Sequence, residues 1–384
     1  MTAGGSGGHI TPILAVAREL KTIKPDIELI YIGQRGDQLS DIPKQSEFID
    51  KVYVVRAGKF RRYHGEGLKQ LLDLSTVAKN IRDTWWVLIG IIQSYLLLRK
   101  LKPDIIFTRG GFVSVPVAIA GRFCGIPYIT HDSDAVPSLA NRIIAKKALL
   151  NTVALPKEVY KYAQYKTVTV GVPVQKEFKF VTPEQKKLYK EQINLTDADK
   201  IIFVTGGGNG AQTLNDVIIK ISPALFDIYP KLALVHMAGR MHEAVVRKMY
   251  ETLLDANRNK RVIVKGFISE LYEYSGAADV VITRAGATTL AEFAIQQKPC
   301  IVVPSPFLTG GHQLRNAEYL ETQNAVVCVT EEQLQDNSEA LMSAIRQILD
   351  DPDEANSLAK RLSEFAYPDS AKKLAMLLLE QVKT

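Results

Sequence analysis

Cysteine is scarce in this chain. The three thiols, Cys124, Cys300 and Cys328, are odd in number, far apart and form no CxxC pair. That argues against a disulfide framework or a zinc site and for a reducing cytosol. A basic run followed by an apolar one is missing from the start, which opens on glycines, so no signal peptide is expected. Long apolar runs are missing too. The best candidate, TWWVLIGIIQSYLLLRK from Thr84 to Lys100, holds Gln93 and Ser94 and ends on Arg99 and Lys100, short of the ~20 apolar residues a spanning helix needs. No lysine follows either glycine cluster, which removes the triphosphatase pattern GxxxxGK[ST]. Neither cluster is a GxGxxG with an acidic residue at the end of the next strand, so a dinucleotide reading is weak. No aromatic RNA platform or recognition-helix signature is present, and no nucleic-acid partner is expected.

What is present is an ordinary globular composition, 46% hydrophobic and 23% charged, over 384 residues. That length implies two domains. The net charge is +7, and its location is informative: Lys44 to Lys102 contains twelve Lys/Arg against five Asp/Glu, a surplus equal to that of the whole chain. A local basic excess points to an anionic partner. Beside it, Trp85, Trp86 and nearby aliphatics fit a helix with one face in the core and another on an anionic bilayer surface.

Short apolar strands alternate with helical stretches throughout. ELIYIG, PDIIFTRGG, GIPYITHDSD, KIIFVTGGGNG, ALVHMAG, RVIVKGF, DVVITRAG and PCIVVPSP are the strands, and the segment with Ile13, Leu14, Val16, Ala17 and Leu20 is an early helix. Such alternation builds parallel sheets covered by helices on both faces, an α/β doubly wound class. GGSGGHITPILAVAREL near the start is echoed by GGGNGAQTLNDVIIKI from Gly206, each a glycine loop running into an amphipathic helix. The echo suggests two similar domains, 1–172 and 173–366, with a last amphipathic helix in 367–384 packing back on the first.

Glycines let a backbone approach a ligand, and a helix N-terminus offers free N–H groups to an anion. Two such loops imply two anionic sites or two sides of one cleft. A third constellation runs from Thr283 to Leu320. Gly286 and Ala287 permit close approach, Thr288 and Thr289 open a helix, and Glu292 lies about one turn in. N–H groups for a diphosphate and one carboxylate for ribose hydroxyls suit a nucleotide sugar. Downstream, His312, Gln313 and Asn316 follow the Gly310–Gly311 turn and could bind sugar hydroxyls.

GGSGGHITP, GGGNGAQTLN, GFISEL, TRAGATTLAE and GGHQLRNA, in that order, resemble the MurG family. Its members are bacterial transferases that add N-acetylglucosamine to lipid-linked muramyl pentapeptide in peptidoglycan assembly. The resemblance covers nearly the whole chain. It implies the GT-B architecture, two Rossmann-like domains facing a cleft, and a peripheral location on the cytoplasmic face of the cell membrane. The implied partners are UDP-GlcNAc, an undecaprenyl-diphosphate-linked muramyl pentapeptide and an anionic membrane surface, with no cofactor and no metal. Carried over by position, Ser6, Gly7, Gly8 and His9 match the first loop, Gly208 the second, and Phe267 and Ile268 the pair bordering uracil, with Ile268 giving backbone contacts. Ala287, Thr288, Thr289, Leu290, Ala291 and Glu292 match the diphosphate and ribose segment, and Gln313 a residue near the sugar. His9 and Glu292 are the catalytic candidates.

There are departures from the family pattern. Its HEQN is His131, Asp132, Ser133 and Asp134 here, so an acid replaces the asparagine. Its GNPVR ends on Gln175, losing an arginine, and a serine of the second loop is Gly208. A lost cation and a gained carboxylate beside a diphosphate weaken binding unless something compensates. Family members also have an apolar strand before the first glycines, where only Met1, Thr2 and Ala3 stand here. The first sheet is therefore expected to lack its first strand, with the helix starting near Thr11–Pro12 and His9 at its mouth.

The implied reaction is a single displacement at the anomeric carbon with UDP leaving, and His9 suits the base because its ordinary pKa lies near neutrality. Asp132-Ser133-Asp134 also reads as a DxD that could chelate Mg²⁺ or Mn²⁺. A UDP-GlcNAc 2-epimerase, another GT-B transferase with a lipid acceptor, or a non-catalytic UDP-sugar-binding scaffold are rival functions. The His9→Ala variant is expected to lose turnover yet keep UDP binding, which calorimetry beside a transfer assay checks. Retained turnover removes His9 as the base.

Overall fold

The computed structural model describes residues 1–4, 7–37, 41–59, 74–208, 210–307, 311–336 and 338–382. The chain divides into two compact units. One is Met1–Lys176 with Phe307–His312 and Tyr367–Thr384; the other is Glu177–Pro306 with Gln313–Ala366.

The first unit contains strands β1 (Ile30–Gln34), β2 (Lys51–Val55), β3 (Ile106–Thr108), β4 (Tyr128–Asp132), β5 (Leu150–Val153) and β6 (Thr167–Thr169). Its first helices are α1 (Gly7–Ile23), α2 (Asp41–Lys44), α3 (Leu74–Leu101), α4 (Ser114–Phe123) and α5 (Leu139–Ile144). β1 pairs with β2, and β3 to β6 pair in sequence order, all in parallel. Thr2 bridges both Ile32 of β1 and Thr108 of β3. Its amide donates to Phe107 (2.9 Å), its carbonyl accepts from Arg109 (3.2 Å), and the Met1 carbonyl accepts from Ile32 (2.9 Å). The expected gap at the first strand is thus narrowed to a stub. Met1 to Ala3 lie between β1 and β3 and satisfy edge groups that burial would otherwise strand.

The second unit contains β7 (Lys200–Thr205), β8 (Leu232–Met237), β9 (Val262–Lys265), β10 (Val280–Thr283), β11 (Cys300–Val302) and β12 (Val327–Cys328). They form one parallel sheet in the order β12-β11-β10-β7-β8-β9. Its helices are α6 (Pro183–Gln192), α7 (Gln212–Ile228), α8 (Glu243–Leu253), α9 (Ala256–Asn259), α10 (Leu271–Ala277), α11 (Ala287–Gln296), α12 (His312–Thr322), α13 (Glu331–Asp336), α14 (Glu339–Asp350) and α15 (Pro352–Ser363). α12 begins on His312, which the division above counts with the first unit. Period-two alternation divides β7 between two cores: Ile202 and Val204 enter one, Ile201 and Phe203 the other. A strand buried on both faces reads as a continuous apolar run, as IIFV does. The last helix, α16 (Ser370–Val382), belongs to the first unit, where Ala371, Leu374, Ala375 and Leu378 share a core with Ile13, Val16, Ala17 and Leu20 of α1.

Helix α7 contains Pro223, which has no N–H for the Ile219 carbonyl four residues back. The Ser222 hydroxyl donates to that carbonyl instead, at 2.8 Å, so the helix continues through the proline.

Lys298 is buried just before β11, and its ammonium donates to the carbonyls of Gly276 (2.6 Å) and Ala278 (3.1 Å) at the end of α10. Burial first, then the Lys186 ammonium, push its pKa down to about 7, with Asp279 opposing. The unfolded chain therefore binds more protons than the folded one between about pH 7 and the ordinary lysine value. Stability contributed at this site rises with pH across that window and is least below it. Each tenfold difference in proton affinity is worth about 1.4 kcal/mol. Urea unfolding from pH 6.5 to 9.5 is expected to show this rise in the wild type, and a flatter dependence in Lys298→Met.

Candidate active site

In the first unit, site residues gather where β3 and β4 end and α1 and α4 begin. Ser6 lies outside the described residues, as does the side chain of His9. Gly7, Gly8 and His9 are the opening residues of α1 itself. The helix therefore begins well before Thr11–Pro12, and Pro12 sits inside it. Pro12 has no N–H to give the Gly8 carbonyl. An Arg109 Nη1 donor reaches that carbonyl from the end of β3, a repair supplied about a hundred residues away in sequence.

Arg109 is itself buried. Its Nη2 donates to Ser133 Oγ at 2.6 Å, and Ser133 Oγ lies 3.1 Å from His131 Nε2. The Thr152 hydroxyl donates to the Thr130 carbonyl at 2.8 Å, so at 3.1 Å it accepts from His131 Nδ1–H. His131 Nε2 is left to accept from Ser133. Burial and then the Arg109 charge hold the His131 pKa well below its ordinary value, which keeps this imidazole neutral. Next to it, Asp132 accepts from the Ser138 amide (3.1 Å) and the Tyr162 hydroxyl (2.7 Å). Burial outweighs these bonds and raises its carboxyl pKa to about 6. Asp134 is half-buried, and its carbonyl accepts from the Tyr160 hydroxyl at 3.1 Å. Gln175 is exposed in the coil after Val174.

A second glycine turn was not singled out from sequence. Gly110 and Gly111 have φ of +79° and +78°, a region that favours glycine. A side chain at Gly111 would also run into the Gly4 backbone. The signal was the RGG immediately after a strand.

In the second unit, the glycine loop between β7 and α7 has Gly207 and Gly210 at φ of +80° and +75°. Gly210 packs on the Ala238 carbonyl, which also accepts from the Asn215 amide at 3.0 Å. Asn215 Oδ1 lies 3.0 Å from His236 Nε2, and His236 Nδ1 lies 2.9 Å from the Tyr250 hydroxyl. Burial lowers the His236 pKa to about 3, so this neutral ring donates to Asn215 and accepts from Tyr250. Gly208 is exposed, with nothing within 4 Å of where a Cβ would sit; the missing serine would fit.

The loop from β10 to α11 is braced from behind. Buried Arg284 donates to the Val303 carbonyl at 3.1 Å and pairs with buried Glu331. Gly286 caps α11 without a side-chain bond, and the first intrahelical bond runs from the Leu290 amide to the Gly286 carbonyl. The amides of Ala287, Thr288 and Thr289 thus precede the helical ladder. Thr288, Thr289, Ala291 and Glu292 are half-buried. The side chains of Leu290 and Ile268 are buried in the core, which leaves their backbones for any ligand.

His312 is half-buried at the first position of α12. Gln313 is buried, and its side-chain oxygen accepts from the Ser305 amide at 2.9 Å. Asn316 is buried, and its side-chain amide donates to the Ala285 carbonyl at 3.0 Å. It braces the loop, because a carbonyl buried at a strand end needs a donor.

Residues 1–150 match the glycosyltransferase family 28 N-terminal domain, and residues 201–374 its C-terminal domain. Among solved structures, Acinetobacter baumannii MurG is similar with a TM-score of 0.72 at 20% identity, covering 99% of this chain and 98% of that one. A co-structure of S. aureus MnaA with UDP is similar with a TM-score of 0.66 at 13% identity, covering 100% and 97%. The fold is that of the GT-B glycosyltransferases. Curated relatives go further. The UDP-N-acetylglucosamine–N-acetylmuramyl-(pentapeptide) pyrophosphoryl-undecaprenol N-acetylglucosamine transferase of Borrelia turicatae is 33% identical over 99% of this chain and 96% of its own length. The protein of the same name from Listeria welshimeri is 30% identical over 100% and 99%. The chain belongs to this transferase family, MurG.

Removing Arg109 leaves the Gly8 carbonyl inside α1 without the donor that replaces Pro12. The Arg109→Met variant is expected to lose about 1–3 kcal/mol of stability by urea unfolding. An unchanged midpoint would show that water serves the carbonyl as well.

Proposed function

We propose that this protein transfers N-acetylglucosamine from UDP-GlcNAc to the undecaprenyl-diphosphate-linked muramyl pentapeptide, converting lipid I to lipid II. The observation that carries the donor reading is the start of α11. Its N-terminus, where Gly286 brings no side chain between backbone and ligand, suits a diphosphate, and Glu292 one turn in suits ribose hydroxyls. Family membership supplies the acceptor.

The acceptor hydroxyl attacks the anomeric carbon, the bond from that carbon to the UDP oxygen breaks, and the configuration inverts. His9 takes the hydroxyl proton, and the leaving diphosphate gains charge that helix N-termini stabilise. The start of α1 at Gly7–Gly8 and the glycine turn at Gly110–Gly111 before α4 suit the lipid diphosphate, since each leads backbone N–H groups to a helix start.

A membrane-borne acceptor calls for a membrane-facing surface, and α3 supports one. Ile81, Trp85, Leu88, Ile92 and Leu96, spaced by three or four residues along one helix face, are all exposed. Asp83, Ser94 and Leu98 are buried on the other side, and the Arg56 guanidinium covers the Trp86 ring at 3.9 Å. Lys79, Arg82, Arg99, Lys100 and Lys102 flank the stripe. No helix among the described residues is long and apolar enough to cross a membrane. An apolar stripe with basic flanks suits peripheral binding to an anionic surface, on the cytoplasmic face.

The test is incubation with labelled UDP-GlcNAc and the muramyl lipid, either in anionic vesicles or in detergent. Label is expected in lipid under both conditions. Ile92→Ser with Leu96→Ser is expected to lose most transfer on vesicles and little in detergent. No transfer in either condition from protein that binds UDP overturns the activity; equal loss in both overturns the membrane role of α3.

A further inference from the structure

We propose that Arg240, in the turn before α8, and Glu243, the first residue of α8, are positioning residues for the nucleotide base, acting through the Phe267–Ile268 segment. The inference rests on the UDP-GlcNAc reading above and names the residues that tune its base affinity.

After β9 the chain passes through Gly266, Phe267 and Ile268 as irregular backbone before α10. Such a segment holds a ligand well only when something rigid fixes it. Here α8 and the turn before it do so at three points. Glu243 Oε2 accepts from the Gly266 amide at 2.8 Å. Glu243 Oε1 accepts from Arg247 Nη2 at 2.8 Å, and that nitrogen also donates to the Val264 carbonyl at 2.7 Å. The Arg240 guanidinium carbon lies 4.6 Å from the centroid of the Phe267 ring, within cation–π range. The fit is close: a Cβ at Gly266 would come within 2.6 Å of Glu243 Oε2 and 3.0 Å of Arg240 Cα.

The clamp leaves Phe267 half exposed, at 49%, with Arg240 against its ring. The Ile268 side chain is buried at 6%. Among the described residues, neither its amide nor its carbonyl has a hydrogen-bond partner. An anchored side chain with an open main-chain donor and acceptor is an edge that can read a base presenting one acceptor beside one donor, as uracil does. A buried residue cannot adjust that edge by itself, so α8 sets its place. Arg240 and Glu243 belong to neither the phosphate nor the sugar contacts proposed above. Their removal therefore acts on binding of the nucleotide and not on the chemical step.

The experiment is UDP binding by calorimetry, with donor KM and kcat from the vesicle assay, on Glu243→Ala, Glu243→Gln, Arg240→Ala, Phe267→Leu and the Arg240→Ala/Phe267→Leu double variant. Glu243→Ala is expected to weaken UDP binding about tenfold, the loss of a charge-assisted hydrogen bond, and to raise donor KM alike while kcat stays within about twofold. Glu243→Gln keeps an oxygen for the Gly266 amide and should recover most of the affinity, which a general loss of packing would not allow. Arg240→Ala, at an exposed position, should weaken binding about threefold, and add nothing once Phe267 is leucine. Wild-type affinity in both Glu243→Ala and Arg240→Ala, in protein whose parent binds UDP, overturns the assignment alone. A parent that binds no UDP overturns the donor reading and this inference with it. If Glu243→Ala does not fold, Arg240→Ala and the double variant decide the matter.

Discussion

Burying parallel strands on both faces is the constraint from which the rest of each unit follows. A strand such as β7, with Ile201 and Phe203 in one core and Ile202 and Val204 in the other, has no side-chain surface left for chemistry. Parallel pairing sends every connection over the sheet through a helix, so strand ends meet helix starts at one edge. That edge is where unsatisfied amides, glycine turns and the short loops accumulate. His131 to Asp134, Gly110–Gly111, the loop around Gly208 and the start of α11 all lie there. The candidate site residues gather at the edge where backbone polarity is not consumed by the sheet.

Loops at that edge are held by polar groups drawn from elsewhere. Asn316 takes the Ala285 carbonyl, Arg284 is locked between Val303 and Glu331, and Asn215 ties the start of α7 to the end of β8 through Ala238. Buried ion pairs such as Arg284–Glu331 add little net stability, because desolvation offsets their attraction. Breaking one partner is costly, however, so the pair fixes a geometry even where it contributes little energy. Pro12 and Pro223, both past the first turn of a helix, follow the same logic. Each frees a carbonyl, and each time a nearby donor, Ser222 or Arg109, satisfies it.

The departures from the family pattern look different beside this geometry. Gly208 has open space around it, so nothing steric forbids the family serine. The gained carboxylate is Asp134, half-buried, with its backbone carbonyl held by the Tyr160 hydroxyl; Asp132, where the family has glutamate, is buried beside Tyr162 and Ser138 with its carboxyl pKa raised toward neutrality. Arg109, absent from the sequence reading, brings a guanidinium to the Gly8 carbonyl.

The alternating strands, the glycine loop before α7, the helix start within TRAGATTLAE and the apolar-basic character of α3 were all legible in the sequence. Each is a local pattern: period-two runs for strands, glycines where backbone bends, and helical spacing of exposed apolar residues. The start of α1 was not legible, because a proline usually marks the first helical turn and the Arg109 donor that meets the Gly8 carbonyl lies about a hundred residues away. Nor was the stub at Met1 to Ala3, whose hydrogen bonds run to β1 and β3, or the bond from Asn316 to the Ala285 carbonyl. Periodicity and glycine content settle where strands, helices and loops fall, since those depend on near neighbours. Which buried carbonyl is met by which distant side chain depends on partners thirty to a hundred residues away, and only the packed structure decides it.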